Sequence, residues 1–196
     1  MLSAYRAGSR LDKTTTTATF GLLAVPNFMA AMILIYVFAL QIGAFPATGW
    51  VRFTDNPLQS LRHAFLPALA LAIAELAVYT RLLRADMMSS LQEDYITMAR
   101  AKGVPTRRIL WRHALRPSSF SLMTVVGVQI GAIIGGSVVV EQLFAIPGIG
   151  RLLFDSVNQR DLIMVQGVAL VIAVSYVLVN FAVDLLYSFL DPRIRS

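Results

Sequence analysis

Polar and apolar positions in this chain fall in long blocks. Four apolar stretches, at about residues 18–45, 64–83, 118–140 and 162–190, are each long enough to cross a bilayer as a helix. A crossing needs about 20 apolar residues, and longer stretches fit with some tilt. The first stretch carries Pro26 near its start, where a missing backbone donor predicts a kink or a helix start. In the second, Pro67 fits the first turn of a helix beginning near Ala64. The third carries Gly127, Gly131 and Gly135 at four-residue spacing, a stripe along which another helix backbone can approach closely. The predicted fold class is therefore all-α: an integral membrane bundle of about four transmembrane helices. It is a single domain over 18–196 that follows a polar segment over 1–17.

The polar blocks between these stretches differ in kind. Residues 46–63 contain Pro46, Gly49, Asp55, Asn56 and Pro57, which predict a loop, and Trp50 and Phe53 suit the membrane interface. The segment after the third stretch holds a PGIG turn, Pro147 to Gly150, and then LLFDSV, which predicts a short interfacial helix. The block from Arg81 to Arg116 stands apart. Eight of the seventeen Lys and Arg lie there: Arg81, Arg84, Arg100, Lys102, Arg107, Arg108, Arg112 and Arg116. With both termini inside, Arg6, Arg10, Lys13, Arg193 and Arg195 join these eight on the inner side. Only Arg52, Arg62, Arg151 and Arg160 fall outside. That bias predicts an inner-membrane, multi-pass protein with both of this chain's termini in the cytoplasm.

Composition narrows the chemistry. The chain is 57% hydrophobic and 14% charged, against about 25% charged in soluble domains. The net charge of +6 follows from topology and from attraction to membrane lipid, so it does not point to nucleic acid. Zero cysteines and two histidines leave no disulfide, no thiol nucleophile and no metal-ligand cluster to expect. No GxxxxGK[ST] loop is present to bind nucleotide. The N-terminus has no apolar core of signal-peptide length before Thr14.

Within the basic block, the region Ser90 to Met98 predicts the start of a helix, with Glu93 and Asp94 placed early where acids suit the helix dipole. Gly103 and Pro105 break it. Thr106 opens a second piece, TRRILWRHAL, with Ile109, Leu110 and Ala114 on one side and Arg107, Arg108 and Arg112 on others. A short amphipathic helix–turn–helix of this kind can lie on anionic lipid or insert into a groove on a partner. Glu75, a carboxyl near the middle of the second stretch, is a candidate pathway residue. A structural hydrogen bond, for example with Tyr79 one turn on, is the favoured reading, since no pairing base is visible in the spans.

The runs DYITMARAKG and RHALRP resemble the cytoplasmic loop of ABC-transporter permease subunits in the dipeptide, oligopeptide and nickel import group. The resemblance extends through GSRLDK, LPALALAIAELAVYTRLLRADM, GGSVVVEQLFAIPGIGRLLFDSVNQRD and VNFAVDLLYSFLDPRIR, which is essentially the whole chain. It implies a permease of an ATP-driven importer, most simply for di- and oligopeptides. An importer of nickel or another small solute, or a membrane scaffold using the basic loop as an anchor, is the alternative. Residues 84–117 would form the coupling loop, whose helix docks in a cleft on a cytoplasmic ABC ATPase. The residues it assigns there are Asp94, Tyr95, Ala99, Arg100, Ala101, Lys102, Gly103, Arg107 and His113. The family's Glu-Ala-Ala pattern falls on Thr97, Met98 and Ala99, and of its fixed positions only Ala99, Gly103 and Leu115 match. A rigid helix over Asp94 to Ala101, a turn at Gly103 and the charges of Arg100, Lys102 and Arg107 suit a reversible polar interface.

The resemblance also implies a second permease subunit in a heterodimer and an extracytoplasmic substrate-binding protein. It implies no cofactor on this chain, with ATP and Mg on the partner ATPase. Glu141, Pro147, Gly148 and Gly150 resemble the family's external-face segment. Permeases of this group typically have six spans, so a four-span chain whose start corresponds to the loop after the second span reads as the C-terminal part of such a subunit.

Overall fold

The computed structural model describes residues 2–190; the DPRIRS ending, at 191–196, and the surroundings of Gly135 lie outside the described residues. Among the described residues every regular element is helical. In order they are α1 (Leu2–Tyr5), α2 (Arg10–Ala24), α3 (Asn27–Leu34), α4 (Pro57–Ser90), α5 (Asp94–Ala101), α6 (Thr106–Arg108), α7 (Leu115–Gly136), α8 (Val138–Leu143), α9 (Ile149–Asn158) and α10 (Leu162–Leu190). Two stretches are wound more loosely as π-helix, Ile35–Gln41 after α3 and Ile109–Ala114 after α6. α4 and the Leu162–Val183 part of α10 are each long and apolar enough to cross a membrane. α2 and the helix after Pro26 make a third crossing only if they are counted as one broken span.

Three expectations about helix ends need correction. The first apolar stretch is not one helix over 18–45. Pro26 has no N–H and forces its neighbour out of the helical region, so α2 stops at Ala24 and α3 starts at Asn27. The second span is longer than 64–83, because the helix begins in what was read as loop. Asn56 caps it, with its side-chain oxygen accepting from the Gln59 N–H at 3.1 Å, and Pro57 takes the first helical position. Pro67 therefore lies inside α4, not in its first turn. At 34 residues, α4 is about 50 Å long, which exceeds an apolar core of about 30 Å.

The chain divides into two compact units. The first comprises the chain up to Ala24 together with Leu76–Val126. Its centre is a cluster of Ala4, Met87, Leu110 and Ala114, so α1 packs against the end of α4 and the π-helical turn. An ion pair fixes α2 to α4 beside it. Arg84 Nε donates to Asp12 Oδ1 at 2.6 Å and Nη2 donates to Oδ2 at 2.7 Å, while the Gly8 N–H donates to Oδ2 at 2.9 Å. Arg81 lies 4.5 Å over the Phe20 ring, a second link between the same helices.

The second unit comprises Val25–Glu75 and the chain from Gly127. Its core is Ala31, Leu34, Leu66, Ala70, Val140 and Phe144. Phe45 stacks on Phe65 at 4.7 Å, and the Gly49 N–H donates to the Phe144 carbonyl at 2.8 Å, which ties the loop before α4 to α8. Gly127 and Gly131 let α7 lie against α10. A methyl on Gly127 would collide with Val183, and one on Gly131 would come within 2.9 Å of Tyr176. Only 6% of the apolar window of α10 is buried, so most of its surface, including Ile163, Leu170, Val177 and Phe181, is left for lipid or another chain.

The Asp12–Arg84 pair predicts a pH dependence. The Arg84 guanidinium and the Gly8 N–H hold the Asp12 carboxyl at about 2, below its ordinary 3.8. A lowered carboxyl pKa gives stability that is complete above the ordinary value and is lost as pH falls through the folded one. Asp12→Asn is expected to speed amide exchange in α2 near pH 7, more than the exposed change Asp55→Asn does. The difference between Asp12→Asn and the parent should close as pH falls toward about 2.

Candidate functional site

The basic block folds as a helical hairpin whose shape is set by its own backbone bonds. α5 starts at Asp94, with extended Glu93 before it, and the Ile96 and Thr97 N–H groups donate to the Glu93 carbonyl. The acid at Asp94 opens the helix and Arg100 lies in its last turn, both placed with the helix dipole. The helix then ends on a left-handed glycine. Gly103 has φ +72°, its N–H donates to the Arg100 carbonyl at 3.0 Å, and the Val104 N–H donates to Ala99 at 3.1 Å. That pair of bonds is the Schellman arrangement, which satisfies two carbonyls at the helix end and favours glycine at this position. Pro105 follows and cannot continue α5; its carbonyl instead receives the Arg108 and Ile109 N–H groups that start the next turn.

The hairpin has a small core of its own. Ile96, Ala99 and Ile109 are buried against each other, with Leu91 and Val104 beside them. Val104 completes the turn, because an apolar side chain at that position packs back on the helix it follows. The Tyr95 hydroxyl donates to the His113 carbonyl at 3.2 Å and closes the outer edge.

This architecture sorts the residues that the sequence put in the coupling set. Asp94, Tyr95, Arg100, Ala101, Lys102, Gly103 and Arg107 are exposed on the hairpin. Ala99 lies beneath them in the core, and His113 is half-buried with its carbonyl engaged by Tyr95. Those two shape the surface without forming it. Three apolar residues of these helical pieces are also exposed: Met98, Trp111 and the ring of Tyr95. The sequence reading passed over Met98 and Trp111 as surface groups. Their signal was their place opposite Ile96, Ala99 and Ile109 along the two helical pieces.

The remaining singled-out residues lie in the second unit. Glu75 accepts a hydrogen bond from Gln129 Nε2 at 2.7 Å on Oε1, while Oε2 is buried with no hydrogen-bond partner among the described residues. Glu75 thus gains a structural partner on α7, one that lies 54 residues away and leaves no periodic trace. Glu141 caps α9. Its Oε2 accepts the Arg151 N–H at 2.8 Å and its Oε1 accepts the Ser137 hydroxyl at 2.6 Å. Gly148 supplies no side chain at the start of α9, and the Glu141 carboxylate takes that place at the positive end of the helix. A methyl on Gly148 would fall on that carboxylate, and one on Gly150 would lie 2.8 Å from the Val138 Cα. Glu141, Pro147, Gly148 and Gly150 therefore form one folded corner.

The turn makes a specific prediction. A methyl on Gly103 meets nothing within 4 Å, so the cost of replacing it is backbone strain alone. Gly103→Val should destabilise the hairpin by at least the ~1–2 kcal/mol of a left-handed residue. Gly103→Asn should cost clearly less, because asparagine tolerates this region. Amide exchange of Val104 and of the α5 residues compares the two variants.

Against known proteins, the chain matches the family described as binding-protein-dependent transport system inner membrane component over residues 1–196. It is 42% identical over 198 residues to the oligopeptide transport system permease protein AppB of Bacillus subtilis, covering all of this chain and 62% of that protein. It is 37% identical over 195 residues to the dipeptide transport system permease protein DppB of the same organism, covering 61% of it. With the di/tripeptide transport system permease protein DppB of Pseudomonas aeruginosa it shares 35% over 215 residues, or 64% of that protein. The chain thus spans just under two thirds of the length of these relatives, and all of it is matched. A chain whose described residues fold only as helices, two of them apolar and of membrane length, and which matches the family from end to end, belongs to the binding-protein-dependent transport system inner membrane components.

Proposed function

We propose that this chain is the ATPase-contacting, membrane-spanning part of a permease subunit in an ATP-driven importer of di- and oligopeptides. The observation that carries this reading is the α5–turn–α6 hairpin. It has an internal core, a turn that fixes its angle and an exposed face with Asp94, Tyr95, Arg100, Lys102 and Arg107. A rigid, polar, reversible contact of that kind suits a device that passes movement from a soluble motor to membrane helices. Binding free energy is not spent ordering a preformed element when its partner arrives. Peptides are the favoured substrate because the relatives are named for oligopeptide, dipeptide and di/tripeptide transport.

In this reading the hairpin faces the cytoplasm, together with both termini of this chain. ABC ATPase subunits hold ATP and Mg and perform the hydrolysis. A second permease completes the pathway, and an extracytoplasmic binding protein delivers the peptide. The bare surface of α10 and the exposed apolar residues of α3, Phe28, Met32 and Ile33 among them, offer area for lipid or that second permease. The mid-span Glu75, held by Gln129, acts as a packing group in this scheme and not as a peptide contact.

Cross-linking tests the docking directly, because the chain contains no cysteine to interfere. Single cysteines replace Arg100, Lys102 or Asp55, and the chain is co-expressed with the second permease and ATPases of a peptide importer. Arg100→Cys and Lys102→Cys, labelled with a short maleimide–benzophenone reagent and irradiated, should form adducts with the ATPase, and Asp55→Cys should not. Equal labelling at Asp55, or none at Arg100 and Lys102 in an assembled complex, would sink the reading.

A further inference from the structure

We propose that the groove behind the hairpin, lined by Pro105, Arg107, Arg108, Trp111 and Arg112, binds the phosphodiester headgroup of an anionic phospholipid. The groove is open and shallow, about 600 Å³ in volume, and three of its five lining side chains are guanidinium groups. Planar guanidinium groups recognise phosphate oxygens through paired N–H donors and give up their hydration more readily than an ammonium.

Among the described residues, no ion pair joins these arginines to a carboxylate. From Tyr95 to Val140 the sequence contains six Lys and Arg and no Asp or Glu. The ion pairs among the described residues, Arg84 with Asp12 and Arg151 with Asp155, lie on other elements. Arg107, Arg108 and Arg112 are all exposed and open to an anion from outside the chain.

Depth and the indole select a lipid as that outside anion. The π-helical turn runs into α7 without a break at Ala114 and Leu115. The third apolar stretch of the sequence, residues 118–140, follows on from there. Trp111 and Arg112 precede that stretch by about two turns, roughly 10 Å along the helix axis, which sets them on the headgroup side of the apolar core. Trp111 is 60% exposed, which a soluble surface disfavours and a membrane interface rewards for an amphipathic ring. The docking face of the hairpin uses Arg100 and Lys102, which do not line this groove. The proposal needs only the membrane placement of the chain, and Arg107, common to both surfaces, is left unchanged in the test.

The two tryptophans make the test direct. Trp50→Phe leaves Trp111 as the sole indole in the full chain, reconstituted in phosphatidylcholine vesicles. Brominated phosphatidylglycerol or brominated phosphatidylcholine is then added at the same mole fraction, and quenching of Trp111 is compared. Phosphatidylglycerol should quench more, and the excess should be lost in Arg108→Gln/Arg112→Gln. It should be largely retained in Arg108→Lys/Arg112→Lys, which separates loss of charge from loss of fold. Equal quenching by the two lipids, or an excess unchanged by the Gln pair, overturns the proposal. It is also overturned if inorganic phosphate abolishes the preference, since the groove would then take a free anion. If instead an importer ATPase shifts Trp111 emission in phosphatidylcholine alone and the Gln pair removes that shift, the groove is a protein contact and the lipid assignment falls.

Discussion

The left-handed residue at Gly103 is the constraint on which the hairpin depends. It turns the chain through the two bonds from Gly103 and Val104 to Arg100 and Ala99, and it brings Ile109 back onto Ile96 and Ala99. Without that turn the three apolar residues would have nothing to bury against, since a helix of eight residues is marginal in water by itself. The charged face is then a consequence. Once Ile96, Ala99 and Ile109 point inward, the intervening residues, among them Asp94, Arg100, Lys102 and Arg107, are left outside.

The second unit uses small residues differently. Gly127 and Gly131 act by absence of volume, since each leaves room for a side chain of α10. Gly148 and Gly150 make room for a carboxylate and a backbone, so that Glu141 can cap a helix whose N-cap residue, Gly148, has no side chain to offer. In each case the glycine fixes which neighbour can approach. Around these closely packed corners, the outer faces of α3 and α10 remain apolar and uncovered, as membrane helices require.

Much of this was readable from local pattern. The apolar blocks announced membrane helices, and Gly103 with Pro105 announced the hairpin, because both signals arise within a few residues. Helix ends were less legible. Asn56 and Pro57 were counted as turn formers, yet the same two residues form a helix cap and first turn, so α4 begins earlier than its apolar run. The N-terminal segment read as polar lead-in is mostly helix, held by Asp12 to an arginine 72 positions away. Distant pairs of that kind, like Gln129 with Glu75, leave no spacing signal in a single sequence. Trp111 was passed over because its meaning depends on the register of the π-helical turn that carries it.

The central claim is that the hairpin is rigid before any partner arrives. Amide exchange of the full chain in lipid nanodiscs, with no ATPase present, tests it most directly. The account predicts slowed exchange at Ala99, Val104 and Ile109 relative to the exposed Gln92 and Thr54. Exchange at Ala99 and Val104 as fast as in an unstructured peptide, slowing only when an ATPase binds, would contradict it.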